Sequence, residues 1–495
     1  ALWLTKHQMN VEFFKEFGRT NPTLPLTDAG NIAQGNACRL NWEEVCPKGK
    51  DDEIYILGNP PYLGAHLQSS EQKMDMETIF TGITKYKNLD YIAAWLFKGS
   101  IYIENSNSSF AFVSTNSICQ GEQVSLIWPY IFEKNIEINF AYPSFLWNNN
   151  AKNKAAVFVA IIGCRGKSNK HKILFSDNRS YSVKYINAYL VAGTKTIVYK
   201  RSKPLSNFPT MVLGNLPRDG GGFVFSRNEY LEIIGNQPNI KRFFKNYIGS
   251  AEFINKKYRY CLWLSSKSDL DTIIDIPDIN NRIKKIVDFR LKSSRQATRD
   301  LAKNPFRFAE RRHKKGNSII VPRVSSIRRE YVPIGFLDEN SVVSDAASVM
   351  YNAESWMLSV LSSKMHILWL KMVAGRLKTD YRYSTVLCFN TFAFPSTSKQ
   401  RKEELTQCTL RIIDERSKHS EKTLAQLYDP DKMLDGLKEA HHQNDLAVER
   451  CYRSTPFYSD EERLEHLFKL YEKMIQEEKE KDTLFAKEKK TRKRK

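Results

Sequence analysis

The side chains best suited to chemistry in this sequence are those of Asn59-Pro60-Pro61-Tyr62. They follow a short apolar run, residues 54–57, and this pattern predicts a buried strand that ends in a tight, stiff turn. Each proline fixes φ at about −65° and removes a backbone donor, so the turn presents carbonyl oxygens and an asparagine amide. Open α/β sheets place their binding sites at this end of their strands.

Such a turn suits the recognition of an exocyclic amine on a flat ring. Its oxygen acceptors can hold the amine hydrogens, and the Tyr62 ring can stack on the base. An adenine flipped out of DNA offers that amine and has to be held outside the base stack. The simpler interpretation is a surface loop that is merely stiffened by proline.

Helical and strand patterns surround the turn. Residues 1–15 have helical spacing, and residues 121–132 predict another helix. Strands are predicted at residues 54–57, 110–113, 155–162 and 172–175, the last two as a hairpin. An apolar stripe predicts a further buried helix, and it consists of Leu89, Ile92, Ala93, Leu96 and Phe97.

The second half of the chain changes character. From about residue 203 to residue 395 it mixes turns, short strands and short helices, and a polar linker follows at residues 396–401. The rest is predicted to be helical, with a capping box formed by Ser459 and Glu462. His441-His442 is expected to be exposed on one of these helices, and the basic tail is expected to be a disordered, solvated end.

The formal net charge of +21 is concentrated in two segments of the 495-residue chain. Residues 281–330 hold sixteen Lys and Arg against four Asp and Glu, and residues 487–495 hold seven against one. In the first segment the basic residues alternate with apolar ones, which indicates a folded surface. A polyanion is the partner that such a surface favours, because releasing its counterions drives binding.

Other classes of protein are disfavoured. The longest apolar run, residues 155–164, is too short to cross a bilayer, so no membrane partner is expected. The eight cysteines include no C-x-x-C pair and the nine histidines have no ligand spacing, so no metal is expected. A reducing, cytoplasmic location fits this cysteine usage. Glu71-Gln72-Lys73 has the E-x-K spacing of a nuclease motif, but a surface charge pair at a helix start is the favoured interpretation.

Longer segments point to a family. The tetrapeptide resembles the catalytic motif of S-adenosylmethionine-dependent amino-methyltransferases, above all N6-adenine DNA methyltransferases, although some protein-glutamine and RNA methyltransferases share it. Almost the whole chain resembles the MmeI-like (type IIG and IIL) restriction–modification enzymes, as in GNPPYLGAHL, LDYIAAWLFK, FVSTNSICQGEQVSLIWP, NNAKNKAAVFVAIIG, VSSIRREYVPIGFL and VLSSKMHILWLKMVAGRLKTDYRYS. These enzymes join a nuclease, a helical spacer, a methyltransferase, a target-recognition domain and a helical C-terminus.

The resemblance implies an α/β fold in three parts. Residues 1–200 would be the C-terminal part of a Rossmann-like class I methyltransferase, with Gly35-Asn36-Ala37 ending its third strand. Residues 201–395 would be an α+β target-recognition domain, and residues 396–495 a helical C-terminal region with a basic tail. The implied activity is site-specific methylation of adenine N6 in double-stranded DNA.

The family's site residues carry over by position. Asn59 and the Pro60 carbonyl would bind the N6 hydrogens, with Pro61 completing the turn and Tyr62 stacking on the base. Phe145 or Trp147 would stack on its other face, and Asn36 would contact the adenine of S-adenosylmethionine, unless it only caps a loop. The implied DNA-binding residues are Arg323, Arg328, Arg329, Arg376, Lys378 and Arg382, which could read guanine or clamp phosphate.

One expected motif is absent from the sequence. The family holds its cofactor with a D/E-x-x-x-G-x-G turn after the first strand and an acidic residue after the second, and no such turn occurs here. Gly220-Gly221-Gly222 is a loose run in the second domain. In the family's strand order, 3-2-1-4-5-7-6, the fourth strand would then be an open edge. We therefore expect a truncated or split product with an incomplete S-adenosylmethionine site and no nuclease, completed by an N-terminal fragment.

Two further functions stay open at this point. The chain could be a non-catalytic DNA-recognition fragment or split subunit, an interpretation that the absent glycine turn favours and Asn59 to Tyr62 oppose. A protein-glutamine methyltransferase is the third possibility. Such an enzyme would hardly need some 200 further residues of basic, recognition-like sequence.

Overall fold

The computed structural model describes residues 2–18, 32–147, 157–176, 179–193, 195–377 and 380–492. The first region contains the helices α1 (Leu2–Phe17), α2 (Trp42–Val45), α3 (Ser70–Ile79), α4 (Ala93–Ile103) and α5 (Gly121–Glu133). Its strands are β1 (Tyr55–Gly58), β2 (Ser109–Thr115), β3 (Ile136–Trp147), β4 (Val157–Gly166), β5 (Lys172–Ser176) and β6 (Arg179–Val183).

These strands form one sheet in the order β1-β2-β4-β3-β5-β6. β1 and β2 are parallel, β4 is antiparallel to both β2 and β3, and β5 is parallel to β3. The first four positions reproduce the order 4-5-7-6 expected for the second half of a class I methyltransferase sheet. The predicted hairpin between residues 155–162 and 172–175 is wrong, because β4 already has β2 and β3 on its two sides. β5 forms its hairpin with β6 instead.

The two faces of this sheet differ in burial. On one face Phe110 and Phe112 are buried, and Gly99 of α4 lies so close that an added Cβ would be 3.1 and 3.2 Å from their rings. On the other face Leu57 of β1 is 75% exposed and Ile173 of β5 is 42% exposed. Within the described part of the chain, β1 therefore forms an open edge of the sheet with an uncovered apolar face. The strand predicted at residues 54–57 is present, but the prediction that it is buried is wrong, because no described strand or helix covers its outer edge and this face.

The second region is built from short elements. Its helices are α6 (Arg227–Asn236), α7 (Ser250–Asn255), α8 (Lys267–Asp271), α9 (Pro277–Leu291), α10 (Gln296–Asp300), α11 (Ser355–Ser362) and α12 (Lys364–Val373). Its strands are β7 (Val212–Leu213), β8 (Val224–Ser226), β9 (Phe244–Ile248), β10 (Arg259–Leu262), β11 (Ser318–Pro322), β12 (Val324–Ser325), β13 (Gly335–Leu337), β14 (Ser341–Val343), β15 (Ala347–Tyr351), β16 (Arg376–Leu377) and β17 (Asp380–Arg382).

Three small sheets organise that region. Their strand orders are β14-β9-β10-β8, β13-β11-β15-β7 and β12-β17-β16. The first of these has its own core of aromatic and aliphatic residues, including Phe223, Phe225 and Ile286. This mixture of short strands and helices is the α+β architecture expected from the sequence.

The last region is helical, as predicted. Its helices are α13 (Lys399–Ser417), α14 (Leu424–Leu427), α15 (Asp435–Glu449) and α16 (Asp460–Arg492). The Ser459 hydroxyl accepts from the Glu462 N–H at 3.1 Å, but the Glu462 carboxylate accepts from the Tyr458 N–H rather than from Ser459, so only half of the predicted capping box forms. The basic tail is helical through Arg492, which corrects the expectation of a disordered end from residue 487.

The prediction for His441 is also wrong. His442 is exposed, but His441 is fully buried, and its Nε2 pairs with the Tyr428 hydroxyl at 2.7 Å. Burial lowers the pKa of His441 well below its usual value. The physical reason is helical phase, since His441 lies on the face of α15 that buries Leu437 and Val448.

A single hydrophobic core joins the three regions. Trp369 of α12 contacts Phe468 and Tyr471 of α16, with ring centroids 5.1 and 5.8 Å apart. Tyr189, which follows the first sheet, contacts Phe468 at 5.5 Å, and Trp128 of α5 belongs to the same buried cluster. The first sheet, the second region and the C-terminal helices are thus packed into one body.

Two glycines form the closest approach between the first two regions. Gly121, at the start of α5, has φ +59°, and a Cβ built on it would lie 2.9 Å from the Gly375 Cα. Only glycine allows both this backbone conformation and this approach. The Gly375 segment, which leads into β16, is thereby held against the start of α5.

We predict that Gly121→Ala destabilises the chain by about 2 kcal/mol or more. An alanine at this positive φ is strained, and its Cβ would also clash with the backbone of Gly375. Urea unfolding followed by circular dichroism measures the shift. Gly64→Ala is the matched control, since a Cβ there meets nothing within 4 Å. Equal stability of the two variants would contradict the close approach.

Candidate functional site

The Asn59 turn lies at the carboxyl end of β1, where the sequence placed it. Pro60 is buried, Asn59 and Pro61 are exposed, and Tyr62 is half-buried against the main core. The Asn59 side chain makes no hydrogen bond to any residue that the structure describes. Its amide is therefore available to a ligand at the open end of the sheet.

Hydrogen bonds to Leu63 fix the end of this turn. The Leu63 N–H donates to Asp90 Oδ1 at 3.0 Å, and the Leu63 carbonyl accepts from the Tyr91 N–H at 3.0 Å. The same carbonyl accepts from Gln68 Nε2 at 3.1 Å. These bonds hold the turn on both sides, so that its free acceptors keep their direction before a ligand arrives.

Asp90 is the centre of this arrangement. It is 7% exposed and also accepts from the Ile92 N–H, while its own N–H donates to Gln123 of α5 at 3.0 Å. Burial raises the pKa of Asp90 above its usual value, although the N–H groups of Ile92 and Leu63 oppose that rise. The sequence analysis missed Asp90 and Gln68; the available signal was a carboxylate just before an otherwise apolar helix.

Asn36 takes part in a separate polar cluster. Its Oδ1 accepts from the Cys38 N–H at 2.9 Å, and its Nδ2 donates to the buried Asp75 at 3.0 Å. Asp75 also accepts from Arg39 and from the Tyr91 hydroxyl. Residues 32–36 are not in a strand, which corrects the expected end of a third strand at Gly35-Asn36-Ala37. Asn36 caps a loop here, and its contact with a cofactor stays a prediction.

The two candidate stacking residues lie on β3. Phe145 lines a cavity of about 750 Å³ with Tyr142 and Phe175, whose rings stack at a centroid distance of 4.1 Å. β2 and β4 separate β3 from β1, which puts the backbone of Phe145 roughly 14 Å from that of the turn, at three strand spacings. Trp147 is the last residue of β3, and its side chain lies outside the described part of the structure.

Two of the candidate DNA-binding arginines lie at the junction of the first two regions. Arg323 and Arg382 line a cleft of about 290 Å³ together with Gly121, Gly375 and Lys200. Arg323 donates to the Asp345 carbonyl at 2.9 Å, and burial, with Arg382 nearby, lowers its pKa. The pairing of β12 with β17 brings the two arginines together.

The other candidates are more dispersed. Arg328 is exposed and forms an ion pair with Asp431. Arg329 is half-buried, and burial lowers its pKa. Arg376 lies between the rings of Phe158 and Tyr381, with centroid distances of 5.6 and 5.2 Å. Lys378 lies outside the described residues.

The basic segment at residues 281–330 is only partly a surface. Arg290 is fully buried and donates to five backbone carbonyls. Other arginines of the segment also bond to carbonyls inside the fold, namely Arg282, Arg299, Arg311 and Arg312. These guanidinium groups hold loops in place. Fewer positive charges are therefore available to a polyanion than the sixteen Lys and Arg of this segment suggest.

Metal chemistry has no visible site in the described residues, where no group of three His, Cys, Asp or Glu side chains converges. Glu71 lies in the first turn of α3 behind the Ser69 cap, and Gln72 completes the capping box. The helix start expected there is confirmed.

Among the described helices, none combines the length and apolar character that crossing a membrane requires. All eight cysteines are free thiols.

Comparison with known proteins gives matches along most of the chain. Three family models match, described as MmeI, DNA-methyltransferase domain (residues 1–176), MmeI, target recognition domain (residues 192–396), and MmeI, C-terminal domain (residues 397–477). The chain is 46% identical over 478 residues to DNA methyltransferase A of Bacillus subtilis (strain 168). That alignment covers 96% of this chain and 54% of the relative, so the chain spans about half of the relative's length.

A solved structure gives a similar result. The type IIL restriction–modification enzyme MmeI in complex with DNA superposes with a TM-score of 0.80 at 38% sequence identity. The match covers 96% of this chain and 64% of that one. The fold of both the first sheet and the second region is therefore shared with a DNA-bound protein.

We predict that Asp90→Ala lowers the free energy of unfolding by about 2 kcal/mol at pH 7, because the N–H groups of Leu63 and Ile92 lose their acceptor. Asp90→Asn keeps an acceptor oxygen and removes a buried charge, so it should cost less than about 1 kcal/mol. Urea unfolding of both variants measures the difference. Equal losses of unfolding free energy in Asp90→Ala and Asp90→Asn would show that the carboxylate charge, rather than the acceptor oxygen, holds the turn.

Proposed function

Since this chain belongs to the MmeI family, we propose that it is the portion of a restriction–modification protein that recognises duplex DNA and methylates adenine N6 at a specific site. The observation that supports this proposal is the Asn59 turn. It presents a free asparagine amide at the carboxyl end of a sheet strand and is held there by Asp90 and Gln68. Its setting is proposed to be the cytoplasm, a reducing compartment that suits its eight free thiols.

The reaction needs positioning more than acid or base strength. The Asn59 Oδ1 and the Pro60 carbonyl would accept the two N6 hydrogens of a flipped adenine, which favours a pyramidal nitrogen with an available lone pair. Tyr62 would stack on one face of the base, and Phe145 or Trp147 on the other. S-adenosylmethionine supplies the methyl group when it is bound. The rate enhancement would come from alignment and from acceptors fixed in advance.

Duplex DNA is the proposed partner of the second region. Arg323, Arg329, Arg376, Lys378 and Arg382 are the proposed contacts, with Arg328 at their periphery. Arg323 and Arg382 lie in the cleft between this region and the methyltransferase sheet. That position suits residues that fix DNA relative to the turn at which a base would be received.

The described residues supply only one side of a cofactor site. S-adenosylmethionine is held in this fold by the N–H groups of a glycine turn, and the sequence encodes no such turn. Asn36, the candidate for the adenine end, already uses its amide on Cys38 and Asp75. The described residues therefore do not make a complete cofactor site.

We propose that a polypeptide segment outside these 495 residues completes the sheet. β1 is an open edge, its Leu57 and Tyr55 side chains are 75% and 66% exposed, and exposed apolar side chains also occur on α1, such as Phe14 and Phe17. The segment would pair with β1 and bring the glycine turn. A non-catalytic DNA-recognition subunit is the alternative function, favoured by the absence of that turn from this chain.

We predict that Asn59→Ala abolishes methylation in the completed enzyme, because the N6 amine loses an acceptor, yet changes DNA affinity less than threefold. Tyr62→Phe should retain more activity than Tyr62→Ala, since stacking needs the ring. Transfer of labelled methyl groups and a DNA-binding assay measure the two effects. Asn107→Ala, at an exposed position before β2, is the control. Loss of binding together with activity in Asn59→Ala would show that the turn is only structural.

We also predict that this chain alone does not bind S-adenosylmethionine at micromolar concentration. The contacts available on one side of the pocket cannot offset the cost of immobilising a flexible ligand. Calorimetry of the chain, repeated after addition of a fragment that carries the family's first two strands and glycine turn, tests this. Micromolar binding by the chain alone would mean that the cofactor site lies elsewhere.

A further inference from the structure

Arg376 stands apart from the other arginines of the second region. None of the described residues accepts a hydrogen bond from its buried Nε and Nη1, and none of their carboxylates forms an ion pair with it. By contrast, the fully buried Arg290 donates hydrogen bonds to five backbone carbonyls. Arg376 is half-buried as a whole, so part of its side chain stays accessible.

An arginine in this state costs free energy in the isolated chain. A guanidinium cannot lose its proton, and burying it without acceptors leaves both its charge and its N–H groups uncompensated. The rings of Phe158 and Tyr381 offset part of this cost through cation–π contacts. They supply no acceptor for the N–H groups. An acceptor from outside the described residues would complete these hydrogen bonds, and a negatively charged one suits a guanidinium best.

The position of Arg376 identifies that partner. Phe158 precedes Val159, which pairs with Thr115 at the carboxyl end of β2, so Phe158 lies at the sheet edge that also carries the Asn59 turn. On its other side Arg376 pairs with Tyr381 in the small sheet that carries Arg382. Arg376 therefore lies between the sheet edge proposed to receive the flipped base and the small sheet proposed to contact DNA.

The neighbouring backbone supports the same conclusion. Gly375 lies against Gly121 and lines the cleft that also contains Arg323, Arg382 and Lys200. Lys200 is neutralised there by Glu122 at 2.5 Å, whereas Arg323 and Arg382 have no carboxylate partner among the described residues. A strand of DNA that crosses this cleft would bring its phosphates to Arg376 and its neighbours.

We propose that Arg376 binds a backbone phosphate of the target strand next to the flipped nucleotide, and that it reads no base. This inference rests on the proposed function and deepens it. The guanidinium offers the paired N–H groups that suit two phosphate oxygens. Because the contact carries no sequence information, it would couple DNA docking to base capture equally for every target sequence.

The test uses the 495-residue chain and a pool of random-sequence DNA duplexes. Wild-type binding should weaken linearly as the logarithm of the salt concentration rises. Arg376→Gln should weaken binding by roughly tenfold and reduce the salt slope by about 0.9, the value for one phosphate contact. The sequences enriched from the pool should be the same for both proteins. Arg450→Gln is the charge-matched control on the C-terminal helices, where the arginine pairs with Glu404, and its slope should stay at the wild-type value.

Stability separates a phosphate contact from a structural role. Arg376→Met removes an uncompensated buried cation, so its urea midpoint should equal or exceed that of the wild type while its binding falls. Arg376→Lys keeps the charge and should bind more tightly than Arg376→Gln. Destabilised or unfolded Arg376 variants would overturn the proposal in favour of a structural role.

Binding itself gives the remaining outcomes. Unchanged affinity and slope in Arg376→Gln would show that Arg376 contacts no phosphate, and a changed set of enriched sequences would show that it reads a base. Either result overturns this proposal and leaves the proposed function standing. Failure of the wild-type chain to bind any duplex would overturn both.

Discussion

The continuous hydrophobic core is the constraint on which the rest of the structure depends. It runs from Cys38, before the first sheet, to Tyr471 on the last helix, and it includes Trp128 and Trp369 between them. Interiors of this kind are packed closely and deform little. The turn that would hold a flipped base and the arginines that would contact DNA are therefore held in one rigid body, and the distance between them is set by packing.

Polar contacts give this body its local precision. Asp90 and Gln68 bond to Leu63 and so fix the end of the Asn59 turn. The close approach of Gly121 and Gly375 holds the second region against the first. The C-terminal helices contribute as well, because Arg201, in the segment that joins the first two regions, forms an ion pair with Glu478 of α16. Recognition and reaction would then be coupled by the packing that joins the two regions.

Local sequence signals predicted local structure well. The positions of the strand and turn at residues 54–62, the helix at Gly121 and the helical C-terminal region follow from periodicity and prolines. Non-local facts were not available from the sequence: β5 pairs with β3 rather than β4, His441 packs against Tyr428, and Arg290 and four other arginines of residues 281–330 bond to backbone carbonyls inside the fold. Asp90 was missed because its acceptor role depends on Leu63, 27 positions away.

Reception of an exocyclic amine by the Asn59 turn is the central step of the proposed function. The most direct measurement uses the chain completed by a segment that carries the glycine turn, incubated with duplex DNA and S-adenosylmethionine bearing a labelled methyl group. The DNA is digested to nucleosides, and mass spectrometry locates the label. The account predicts label in N6-methyladenine and none in ring-carbon-methylated cytosine. Label on a ring carbon, or on protein rather than DNA, would contradict it.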